Sequence, residues 1–139
     1  MLPYRSLFWA TALAAALGGQ AFADGHNLPI KGPHTQATPP PAGTSFTAVV
    51  GANGNLVRGS GATAASQPEG KGTYEVDFES DVTGCAYVAT LGQTGSKGEA
   101  DPGDVTVVGR AGNPAGIFVE TANVQGALKN RAFQIDVGC

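Results

Sequence analysis

The sequence predicts an all-β domain, a small antiparallel β-sandwich or barrel of about seven to eight strands closed by one disulfide. Three observations lead there. Short apolar or alternating runs recur through residues 45–139, with turn-forming residues between them. Charged residues make up 14% of the chain, against about 25% in a typical soluble domain, and 21 glycines and 9 prolines favour tight turns over helices. The two cysteines, Cys85 and Cys139, fall in the middle of that region and at its last residue.

With 139 residues the chain has room for one such domain and not two. Residues 1–23 read as a bacterial-type signal peptide. Arg5 supplies the positive charge, Leu7 to Leu17 is nearly all apolar, Gly18, Gly19 and Gln20 break the run, and Ala21-Phe22-Ala23 fits the small-x-small cleavage pattern. The run is shorter than the roughly 20 apolar residues a membrane span needs. No later segment is apolar enough to span either. Cleavage after Ala23 and a secreted or periplasmic location are therefore expected.

Residues 24–44 form a Pro-rich leader, expected to be disordered and extended, with Pro29, Pro33, Pro39, Pro40 and Pro41 and few apolar residues to bury. Both histidines, His26 and His34, lie in it. After cleavage the chain would begin Asp24-Gly25-His26. A free amine, two backbone amides and a third-position imidazole make a square-planar nitrogen set that suits Cu(II) or Ni(II). This resembles the known amino-terminal copper and nickel motif, and makes a periplasmic metal-binding protein one alternative function.

The domain, residues 45–139, opens with a strand at Phe46–Val50. Gly51 to Asn55 turns the chain, and Leu56-Val57-Arg58 returns as a second strand. Gly59 to Gly72 reads as a loop or edge region. Thr73 to Phe78 alternates cleanly: Tyr74, Val76 and Phe78 point to the core, and Thr73, Glu75, Asp77 and Glu79 to solvent. Asp81 to Gly84 makes a corner. Cys85 to Leu91 is apolar on both sides and is expected as a central strand. Gly92 to Gly103 is a polar loop. Val105–Val108, Ile117–Thr121 and Ala132–Val137 complete the set. Ala48–Arg58 and Phe118–Lys129 share an order of apolar strand, Ala-Asn, Gly turn, then Leu and a cation, and both are expected to be β-hairpins.

An exported chain with two cysteines most often pairs them, so Cys85 and Cys139 are expected to form a disulfide. In the chain-entropy account that closure contributes roughly 4 kcal/mol.

The catalytic inventory is thin. Net charge is −3, with no basic cluster, which argues against nucleic acid as a partner. The domain has no histidine, so a Ser-His-Asp or Cys-His arrangement lacks its base. Glu75, Asp77, Glu79 and Asp81 could supply a two-carboxylate site, which leaves a small carboxylate-based hydrolase as a further alternative. Asp101 and Asp104, in the loop Asp-Pro-Gly-Asp, are candidates for calcium.

The stretch Gly72-Thr73-Tyr74-Glu75-Val76-Asp77-Phe78 is followed by Asp81-Val82-Thr83-Gly84-Cys85-Ala86-Tyr87-Val88-Ala89-Thr90, then by Gly109-Arg110-Ala111-Gly112-Asn113-Pro114, Phe118-Val119-Glu120-Thr121 and Cys139. Together these resemble a family of small exported bacterial β domains across most of residues 46–139. The resemblance implies export and a β fold; it brings no activity, cofactor or functional residue with it. The pattern Gly72-x-Tyr74-x-Val76-x-Phe78 before a Cys-bearing strand is also similar, at fold level alone, to β-rich head domains of fibre and adhesin-like proteins. The function expected is an exported structural or binding module without catalytic activity. Its contact loops would run from Gly59 to Gly72 and from Gly92 to Gly103. A protein or glycan at the cell envelope is the expected partner, with self-association open.

Overall fold

A computed structural model of the chain describes residues 38–139. The expected signal peptide and the tripeptide Asp24-Gly25-His26, a candidate for metal, lie outside the described residues.

The domain is built from β1 (Ser45–Val50), β2 (Leu56–Ser60), β3 (Ala62–Ser66), β4 (Thr73–Phe78), β5 (Ala86–Leu91), β6 (Gly103–Gly109), β7 (Gly116–Asn123) and β8 (Phe133–Gly138). They form two four-stranded antiparallel sheets, ordered β2-β1-β8-β5 and β3-β4-β7-β6. No described helix is long and apolar enough to cross a membrane.

Period-two alternation sets which face of each sheet is buried. Phe46, Ala48 and Val50 stand opposite Val137, Ile135 and Phe133 in one sheet, and Tyr74 and Val76 stand opposite Val119 and Ile117 in the other. All are buried, with Phe78 and Val82 completing the core. Each large member contributes about 1.5–3 kcal/mol by leaving water. Two ring pairs join the sheets: Phe46 with Phe78 at 5.9 Å between centroids, and Tyr74 edge-on to Phe133 at 4.9 Å.

The β1–β2 hairpin forms as expected. Gly51 N–H donates to Asn55 C=O at 2.9 Å, and Gly54 adopts a φ of 83° in the turn. The region Gly59–Gly72 is not merely a loop, because it contains β3. Alanine and serine signal a strand weakly, but Ala62 and Ala65 pack against the core and Ala65 pairs with Val76. Between β2 and β3 the chain changes sheets at Gly61, whose φ is 70°. A Cβ there would lie 2.2 Å from Phe46 Cδ1, so only glycine lets the crossover pass that ring.

Three further expectations are corrected. β5 is an edge strand, not a central one, and Cys85 precedes it. Its outward residues Ala86, Val88 and Thr90 are small and uncharged, which imitates two-sided burial, yet Val88 is 66% exposed. The second hairpin is only partial. After β7 a tight turn places Asn123 N–H on Ala127 C=O at 2.9 Å, and one bridge joins Ala122 to Leu128 before the chain leaves for the other sheet. Finally, the end of the leader is not free of the domain. Asp81 N–H donates to Thr38 C=O at 3.1 Å, and Cys139 N–H to Thr44 C=O at 2.8 Å.

The Cys85–Cys139 disulfide is present. It marks one end of the sandwich, where β5 starts beside the end of β8. The opposite end carries the β1–β2 turn, residues 67–72, the long loop before β6, and the segment leading into β8.

Candidate functional site

Polar side chains gather in two places. One is the outer face of the β3-β4-β7-β6 sheet. Thr73 and Glu75, expected to face solvent, are buried there, Glu75 to 4% exposure. Thr73 is turned onto Gly70 C=O, while Glu75 is covered by the β6–β7 connection, which turns back through Asn113 N–H to Arg110 C=O at 3.1 Å and Gly116 N–H to Asn113 C=O at 2.9 Å. It lays Arg110 and Asn113 over the sheet. The Arg110 guanidinium sits 5.4 Å from the Phe118 ring centroid, 3.3 Å from Glu75 Oε2 and 3.4 Å from Glu69 Oε1. Asn113 Nδ2 donates to Glu75 Oε1 at 3.0 Å and to Asp77 Oδ1 at 2.7 Å.

Glu75 and Asp77 therefore converge on one amide under a cationic cover, while Glu79 lies exposed past the end of β4. Asp81 accepts from the hydroxyl and the backbone N–H of Thr83, and these bonds hold its carboxyl below the usual aspartate range. The aromatic neighbour that the sequence did not suggest is Phe118, paired with Glu75 across β7 and β4. A shallow groove of about 390 Å³ runs beside it, bounded by Thr106, Val108, Arg110 and Glu120.

The second place is the loop end. Of the four glycines that bound the expected contact loops, Gly72, Gly92 and Gly103 come together here, each through a hydrogen bond or close packing with the segment into β8. Gly59 lies near the opposite end, in β2 against Ala48. A cavity of about 200 Å³ opens among the loops. Leu91, Ala52, Ala100 and Ala132 give it apolar walls, and Gln93, Asn130, Asp101 and Arg131 its polar groups.

Arg131 is held tightly. Its backbone N–H donates to Tyr74 Oη at 3.0 Å, and its side chain is 8% exposed. Gly103 makes room for it: a Cβ at that position would stand 3.1 Å from Arg131 Nε and 2.2 Å from Ala122 O. Nη1 donates to Asp101 C=O at 2.8 Å and lies 3.5 Å from Asp101 Oδ2, but buried Nε has no hydrogen-bond partner. The charge is thus balanced by one carboxylate, and that carboxylate is 70% exposed and shared with Lys129 Nζ at 3.4 Å.

Asp101 faces two cations, Arg131 and Lys129. Asp104 is exposed at the start of β6. Among the described residues no group of three or more His, Cys, Asp or Glu is placed to hold a metal.

Sequence reasoning missed Arg110 and Arg131. Each stands two residues from a strand residue whose face the structure shows: Arg110 follows exposed Val108, and Arg131 precedes buried Phe133. Extending the alternation by one step would have put the first over the sheet and the second at the mouth of the core. Compared with known proteins, the chain matches no family model, no curated protein and no solved structure.

Proposed function

We propose that this chain is an exported, adhesin-like binding module that takes its ligand at the loop end. The observation that carries the reading is the cavity there, where a rigid double sheet fixes the roots of three connections around a buried, under-compensated arginine. A disulfide suits an oxidising compartment outside the cytosol, and the sequence of residues 1–23 suits export.

Catalysis is not needed to account for the polar groups. Glu75 and Asp77 are engaged by Asn113, and Glu75 lies beneath Arg110, an arrangement that serves packing.

Capture on immobilised mature protein from the envelope fraction and glycans of the producing cell tests the reading. Binding that survives Thr106→Arg in the side groove but is lost on Ala100→Phe in the cavity supports it. Binding lost with the first change and kept with the second would move the site to the outer face.

A further inference from the structure

We infer that the loop-end cavity is a subsite for one acidic sugar, a uronate unit of a polysaccharide, whose carboxylate is received by Arg131. The inference rests on the binding-module reading and names its ligand class.

The charge argument comes first. A guanidinium taken almost wholly out of water needs acceptors to offset its desolvation. Arg131 has a backbone carbonyl and part of one carboxylate, both from Asp101, while Nε has none. With Lys129 also on Asp101, the cluster carries two cations and one anion. The local balance is positive in a chain whose net charge is −3. An incoming carboxylate would reach the guanidinium on the Nη1 side that Asp101 now occupies, Nε staying packed beside Gly103. It would compete only with an exposed side chain.

The remaining lining fits a sugar ring better than a flat apolar acid. Asn130 Oδ1 accepts from Gly72 N–H at 2.6 Å and from Gln67 Nε2 at 2.8 Å, which fixes the amide and turns its Nδ2 donors away from those partners. Gln93 Nε2 donates to Glu99 C=O at 2.9 Å, leaving Oε1 as an acceptor for a hydroxyl. Leu91, Ala52 and Ala132 offer apolar surface to the carbon face of the ring. The volume, about 200 Å³, suits a single pyranose and not a folded peptide.

The test is a ¹H–¹⁵N NMR titration of the full mature chain with trigalacturonate and with its neutral galactose counterpart. The acidic trimer is expected to shift Gln93, Asn130, Arg131 and Ala132, with affinity falling as salt rises. Asp101→Asn removes the competing carboxylate and should tighten acidic binding about threefold. Arg131→Gln should weaken it about tenfold or more. Ala100→Phe, at an exposed position that spares the arginine, should block the cavity should Arg131→Gln not fold. Equal binding of both trimers at these residues would overturn the uronate assignment and leave the loop-end module standing. No shift at these residues with either trimer would also overturn it, and envelope capture would then decide the module by itself.

Discussion

Arg110 holds its guanidinium 3.3 Å from Glu75 Oε2 on the outside of a sheet, at a place where strand alternation leads one to expect open solvent. The pair is nearly as buried as the core: the two side chains are 9% and 4% exposed. Arg110→Ala would remove the ion pair and part of the cover over the Glu75 carboxylate, leaving Asn113 as its donor and letting water reach it. The expected loss is about 1–3 kcal/mol, below that of a charge left buried without a partner. Urea unfolding measures it, with the slope unchanged. A double variant, Arg110→Met with Glu75→Leu, should recover most of the loss, because both charges then leave together.

The disulfide spans 54 positions. Replacing both cysteines with alanine, or reducing them, should cost roughly 4 kcal/mol by the chain-entropy account. That is a large share of a typical total of about 5–15 kcal/mol. Peptide mapping without reductant should recover Cys85 and Cys139 in one linked fragment. Thermal unfolding with and without reductant then measures the stabilisation, and a midpoint insensitive to reductant would contradict it.

Stability should fall at both extremes of pH, through neighbouring groups. At the alkaline end, burial, then the charge of Asp81, raises the Tyr87 hydroxyl above its ordinary value. The fold thus favours the protonated phenol, which donates to Val82 C=O at 2.6 Å. That contribution is whole below pH about 10 and is lost as pH rises through the raised value. Tyr87→Phe should flatten this alkaline limb at a cost of about 1 kcal/mol near neutrality.

At the acid end the sign reverses. The Thr83 hydroxyl, then its backbone N–H, lowers Asp81 below its ordinary value. The stabilisation is present above that value and is lost as pH falls through the depressed one. Thr83→Val should shrink the acid limb in a pH series of unfolding midpoints and leave the alkaline limb in place.

The tripeptide Asp24-Gly25-His26 has its own test. If the chain is cleaved after Ala23, a Cu(II) titration of the mature form should show tight binding of a single ion. His26→Ala, or an extra residue placed before Asp24, should abolish it, since the free amine and the third-position imidazole are both ligands. Tight binding that survives either change would dismiss the motif.

Wherever one residue's periodicity decided its place, the sequence was readable. Tyr74, Val76 and Phe78 took the core side, Gly51–Asn55 made its turn, and Cys85 met Cys139. It was unreadable where a neighbour decided. Glu75 belongs to the outward set of β4, as its spacing says, but a connection thirty-odd positions later folds Arg110 across it. β3 is held by pairing with β4 and by the packing of Ala62 and Ala65 on the core, neither of which alanine's weak strand preference announces. The cavity eluded the sequence for the same reason. Gly92 and Gly103 marked the loop, but Arg131 reaches it only after folding brings the segment before β8 against Gly103.

The hydrogen bond from Cys139 to Thr44 joins the two ends of the folded region beside the sulfur bridge, a full strand length from the cavity. Tension applied to the chain at Thr38–Thr44 therefore enters the domain at the pole away from the cavity. A label or resin fixed at residues 38–44 would leave the cavity clear, like a lamp held by its cord.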